Sequence, residues 1–281
     1  MINETYKAML KGKSIIRELS EYATARGKEI GYENVFDYSL GNPSVPCTED
    51  YTDTVIAMYQ NMNPMEIHGY SPSLGIESVR AAVAESLNRR FDMDYEAKHI
   101  FMASGAAGAL AHAFRAVTKP GDEIITFAPC FPEYFPYVNT TGAVLKVVPA
   151  NTENFQINFE EFEKMLNPKV MAVLINTPNN PSGIVYSEET IKRLAGILEA
   201  KQKEYGHDIF IISDEPYREI VFDGKKCPYV SSYYDNSISC YSFSKSLSLP
   251  GERIGYVAVN PRATDADIFA VICGQISRGI G

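Results

Sequence analysis

No run of about 18 consecutive apolar residues occurs in this 281-residue sequence, so no transmembrane helix is expected. Residues 1–10 are polar and lack the apolar core of a signal peptide. No C-x-x-C occurs, and the five cysteines (Cys47, Cys130, Cys227, Cys240, Cys273) are scattered and odd in number. They read as free thiols, mostly packing residues, in a cytoplasmic protein. The four histidines (His68, His99, His112, His207) show no H-x-x-x-H spacing, so no metal site is expected. Positive charge is also in short supply. The net charge of −9 argues against nucleic acid as a partner, because phosphate backbones demand a basic face. Neither G-x-G-x-x-G nor a P-loop occurs, so nucleotide binding is not indicated. There is no internal repeat and no low-complexity linker.

What is present is a chain able to bury one large core, with 45% hydrophobic residues. Helices are predicted over 4–29, over 50–62 and after Gly75, where Val79, Ala82, Val83, Ser86 and Leu87 share one face. Phe36–Leu40 alternates like a short strand before the break at Gly41-Asn42-Pro43. From His99 onward seven apolar, β-branched runs (99–103, 123–127, 144–148, 170–175, 209–213, 238–242, 255–259) alternate with helical stretches at 107–117, 159–166, 187–204 and 265–277. That alternation implies βαβ units: an α/β fold with a mostly parallel seven-stranded sheet and helices on both faces. Ligands of such sheets sit beyond the carboxyl ends of the strands, and the chemically informative residues do follow strands.

Ser242-Phe243-Ser244-Lys245, followed by Gly251-Glu252-Arg253, lies between the last two predicted strands. An ammonium is costly to bury, and both burial and a neighbouring cation such as Arg253 favour the neutral amine, which is a nucleophile toward carbonyls. Arg253, Ser242 and Ser244 could instead bind an anion, and the plain alternative is a solvated lysine in a Ser-rich turn. Gly105-Ala106-Ala107 opens a predicted helix with small residues, an anion site by geometry and dipole or else a tightly packed turn. Phe131 stands in a rigid Pro129–Pro132 loop, where an aromatic could cover a flat ring or simply pack in the core. Asn180 lies in a stiff Asn/Pro turn, and Ala128-Pro129 and Asn180-Pro181 are candidate cis bonds. Asp214 ends the run Ile209–Ile212; a carboxylate there needs a partner or caps a helix. Tyr70 occupies a Gly/Pro loop from which a phenol could reach an anion.

In this order Gly41-Asn42-Pro43, Gly69-Tyr70, Ser104-Gly105, Pro129-x-Phe131, Asn180-Pro181-x-Gly183, Asp214-x-x-Tyr217, Ser242-x-x-Lys245 and Gly251-x-Arg253 resemble the class I/II, fold-type I pyridoxal-phosphate aminotransferases. The resemblance covers about Asp37 to Pro261. It implies pyridoxal 5'-phosphate as cofactor, and amino acids and 2-oxo acids as substrates. Lys245 would form the aldimine and shuttle the α-proton, Asp214 would pair with the pyridinium nitrogen, and Tyr217 with Asn180 would hydrogen-bond the ring oxygen. Gly105, Ala106, Ala107, Ser242, Ser244 and Arg253 would hold the phosphate, and Phe131 would stack on the ring. Tyr70 would reach the phosphate of the neighbouring subunit, implying a homodimer, and Gly41 with Asn180 would meet the substrate. It further implies residues 1–45 as an N-terminal helix and arm and 46–281 as the large cofactor domain. Alanine at 106 and 107, where Ser or Thr is frequent, leaves only backbone donors, and Phe131 replaces a frequent Trp or Tyr. Family members continue into a small domain carrying the arginine for the substrate carboxylate, so a truncated chain with a complete cofactor half is expected. Arg278 lies near where some members place a second arginine, or is a solvated arginine. C–S lyase and decarboxylase chemistry share these motifs, and a non-catalytic ligand-binding module is the alternative of another class.

Overall fold

A computed structural model describes residues 4–9 and 15–280. The chain divides into two compact units, Met1–Val45 and Pro46–Gly281. In the first, helices α1 (Glu4–Met9) and α2 (Ile15–Ile30) occupy the region predicted as one helix, of which residues 10–14 lie outside the described residues. The helix runs on through Gly27 and ends where Gly31 takes φ +88°. The strand expected at Phe36–Leu40 does not form. Asp37 bends the chain instead, its carboxylate accepting from both the backbone N–H (2.8 Å) and the hydroxyl (2.6 Å) of Ser39. Alternation specifies a strand only where a neighbour supplies the ladder hydrogen bonds, and Asp can satisfy the backbone locally.

The second unit holds seven strands: β1 (Ile100–Ala103), β2 (Glu123–Phe127), β3 (Val144–Val148), β4 (Val170–Asn176), β5 (Phe210–Asp214), β6 (Ser237–Ser242) and β7 (Gly255–Val259). They form one sheet in the order β1-β7-β6-β5-β4-β2-β3. Four pairings are parallel, and β7 runs antiparallel to both its neighbours. Its helices are α3 (Glu49–Asn61), α4 (Pro64–His68), α5 (Glu77–Phe91), α6 (Gly105–Val117), α7 (Tyr134–Asn139), α8 (Phe159–Met165), α9 (Glu188–Tyr205), α10 (Phe243–Ser246) and α11 (Ala266–Ile280).

Side chains alternate across a strand, so successive residues feed opposite cores. Ile124, Ala172, Leu174 and Ile212 pack on one face with Ala109, Leu110 and Ala113 of α6 and Phe269 and Cys273 of α11. Ile125, Val173, Ile175 and Ile211 pack on the other with Phe162 of α8 and Ile191, Leu194 and Leu198 of α9. The buried apolar residues of α9, Ile191, Leu194, Ala195 and Leu198, follow helical spacing. Ser187 caps that helix by accepting from the Thr190 N–H (3.1 Å), and Gly206 ends it at φ 73°. Among the described residues no helix is long and apolar enough to cross a membrane.

Candidate active site

The parallel register aligns the carboxyl ends of β4, β5 and β6. Asn176 pairs with Asp214 across β4–β5, Asp214 pairs with Cys240 across β5–β6, and β6 continues to Ser242. The Asn176 amide fixes the junction from below by donating to the Asp214 carbonyl (2.8 Å) and accepting from the Asn180 N–H (2.6 Å). Asn180 thereby sits beside Tyr217, with its amide donating to the phenol oxygen at 3.4 Å. Three X-Pro bonds are cis: Ala128-Pro129 and Asn180-Pro181, the two expected positions, and Thr177-Pro178.

Asp214 is the chemically distinctive residue. It is buried, and its Oδ2 accepts from the hydroxyl of Tyr134 at 2.6 Å. Its Oδ1 is buried too and has no hydrogen-bond partner among the described residues. A buried carboxylate oxygen left unpaired is costly. Burial pushes the Asp214 carboxyl up to about 7, with Tyr134 opposing and the neighbouring Glu215 carboxylate adding to the rise. Burial also raises the Tyr217 phenol, followed by repulsion from Asp214.

Lys245 lies in the short helix α10, directly after β6. Ser242 caps that helix, its Oγ accepting from the Ser244 N–H (3.0 Å) and donating to Ser244 Oγ (2.6 Å). Lys245 is partly buried, and burial lowers its ammonium below the ordinary lysine value. The amine is thus neutral more often than that of a solvated lysine.

The third component is the start of α6. Gly105 has φ +70°, and a Cβ there would lie 2.8 Å from Arg253 Nη2. A Cβ on Gly255, the β7 partner of Ser242, would lie 2.8 Å from the carbonyl carbon of Gly105. Two glycines therefore let the α6 N-terminus, Arg253 and the Ser242 end of β6 close on one another. Ala106 and Ala107 continue the first turn, where N–H groups have no intrahelical partner. Arg253 is exposed and donates to the Pro250 carbonyl (2.9 Å). Phe131 is partly buried and meets Tyr134 edge to face, with ring centroids 5.7 Å apart.

Not every expected residue joins this cluster. Tyr70 is fully exposed, at 109% relative area. Arg278 is exposed in the last turn of α11. Conversely, Tyr134 and Asn176 hold the site and carry no sequence signal of doing so. Tyr134 lies 80 positions from Asp214, and only the folded sheet brings them together.

An unpaired carboxylate oxygen suits a ring N–H donor. The glycine-opened helix start beside Arg253 and two serines suits a phosphate, and a lysine with a lowered ammonium suits a carbonyl. These residues fit pyridoxal 5'-phosphate, and with the doubly wound sheet they define the fold-type I class. The family described as aminotransferase class I and II matches residues 35–272, and the chain belongs to it; its members use pyridoxal 5'-phosphate. The chain is 32% identical over 237 residues to an aspartate aminotransferase of Thermotoga maritima, covering 83% of this chain and 60% of the relative. A probable N-acetyl-LL-diaminopimelate aminotransferase of Bacillus subtilis is 32% identical, with 80% and 55% covered. The crystal structure of an amino transferase from Eubacterium rectale superposes with TM-score 0.95 at 48% identity, over 100% of this chain and 71% of that one. The chain thus spans roughly three fifths of the length of the curated relatives it matches.

Proposed function

We propose that this chain carries the cofactor site of an enzyme that moves an amino group between an L-amino acid and a 2-oxo acid. The observation that carries the proposal is the buried Oδ1 of Asp214, without a hydrogen-bond partner among the described residues and in sheet register with the strand that leads into Lys245. When bound, pyridoxal 5'-phosphate supplies an electron-withdrawing ring beside the substrate nitrogen. Asp214 Oδ1 holds a proton at the ring nitrogen, while the Tyr134 hydroxyl keeps Oδ2 fixed. The Lys245 amine takes the proton from the substrate α-carbon and delivers it on the cofactor side instead of back to that carbon, helped by an ammonium lowered by burial. Asn180 and Tyr217 bind the ring oxygen. Gly105, Ala106 and Ala107 offer backbone N–H groups to the phosphate, with Ser242, Ser244 and Arg253 completing the cradle, and Phe131 covers a ring face.

A homodimer accompanies this reading. Tyr70 stands clear of its own chain, which suits a residue that completes the phosphate site of a second copy. Five free thiols support a cytoplasmic setting. The test is a half-reaction. Cofactor-loaded protein, given an L-amino acid and no acceptor, should release one 2-oxo acid per loaded site and stop. Continuous release of ammonia would point to elimination and contradict the transfer reading.

A further inference from the structure

Beside the site, in the turn that follows β5, sits a nearly dry ion pair that the proposed reaction leaves unused. Arg218 and Glu215 are 6% and 2% exposed, and Arg218 Nη1 donates to Glu215 Oε2 at 2.6 Å. A buried pair gains little over apolar residues of the same volume, so stability alone is a poor reason for this one. Its geometry supplies another. Glu215 and Tyr217 lie in the segment that follows Asp214 directly, and Glu215 also accepts from Ser239 Oγ (3.1 Å). The Arg218 guanidinium lies over the ring of Tyr241, 4.5 Å from its centroid, with Phe91 and Tyr229 at 5.1 and 5.6 Å. Arg218 Nη2 donates to the hydroxyl of Tyr256 (3.1 Å), whose ring stacks on Tyr241 at 5.0 Å. Tyr241 precedes Ser242, meets Phe243 edge to face, and places its hydroxyl 2.7 Å from Ser246 Oγ, next to Lys245.

We infer that Arg218 is a positioning residue that locks the Asp214–Tyr217 turn to the Ser242–Ser246 segment, so that the carboxylate and the lysine keep a fixed separation. What is being positioned rests on the function proposed above; the mechanical coupling does not. A planar, five-donor cation can stack on Tyr241 while forking to Glu215 and Tyr256, which a lysine cannot do.

Hydrogen exchange of the cofactor-free protein tests the coupling, using Tyr256→Phe, which removes one oxygen, and Arg218→Lys, which keeps the charge. The Glu215 and Ile220 amides (to Cys240 and Tyr217 carbonyls) report one arm, and the Phe243 and Leu247 amides (to Ile254 and Phe243 carbonyls) report the other. Both arms should exchange about tenfold faster together, with β4 unchanged. Acceleration of one arm alone, of neither, or of β4 equally overturns the inference. If Arg218→Lys does not fold, Tyr256→Phe decides on the same criteria. In protein loaded with pyridoxal 5'-phosphate, Tyr256→Phe should also move the pH midpoint of the visible absorption band. A wild-type band whose midpoint the variant leaves in place overturns the positioning role. No band in the wild type overturns the functional reading instead, and with it the role, while the exchange result still decides the coupling.

Discussion

Asp214 carries the largest chemical consequence of any single residue here. Its ordinary carboxyl value of 3.8 rises to about 7 in the cofactor-free fold, chiefly through burial. The folded state therefore holds a proton that the unfolded chain has already lost between those values. Stability falls as pH rises across that window: the contribution is fully present below about 3.8 and lost by about 7. The span corresponds to something on the order of 4 kcal/mol. Asp214→Asn keeps the shape and removes the titration, so denaturant unfolding of the cofactor-free variant should lose most of that slope between pH 4 and 7. An unchanged slope would place the titrating group elsewhere. The same residue shows how far sequence reading reaches. Its place after an apolar strand is legible, because Ile209–Ile212 is a short apolar run of mostly β-branched residues, set in a chain of alternating strands and helices. The free Oδ1 and the bond from Tyr134 are not legible, because they depend on which side chains the sheet brings into line.

Among the elements, all seven strands of the sheet and the long helices follow from periodicity and breakers. The signal is strong where a parallel strand is apolar on both faces, as in Val170–Ile175, and where a helix carries its own caps, as Ser187 and Gly206 do for α9. It fails for short elements. The Phe36–Leu40 segment alternates but bends around Asp37, since period two is necessary for a half-buried strand and does not supply a partner. The six-residue α7 (Tyr134–Asn139) is invisible for the opposite reason: it carries Pro136 and too few turns to show a period, and tertiary packing of Tyr134 and Val138 defines it. The glycine-opened start of α6 was readable as an anion site, yet its close approach to β7 also needs Gly255, and nothing near Gly255 in sequence announces that.

For the molecule as a whole, the order of motifs along the chain was more telling than any one of them, because a doubly wound sheet turns chain order into one row of strand ends. Membership of the aminotransferase class I and II family agrees with that reading. The proposed dimer is tested by light scattering at micromolar concentration, where a mass of twice 31.2 kDa is expected and the mass of one chain would remove the role given to Tyr70. The central claim is that Lys245 and Asp214 form one cofactor site. The most direct measurement is the absorbance spectrum of the purified protein with pyridoxal 5'-phosphate added, beside that of Lys245→Ala. A visible band present in the wild type and absent from the variant is the predicted result. A band that survives the substitution, or none in either protein, would contradict the account.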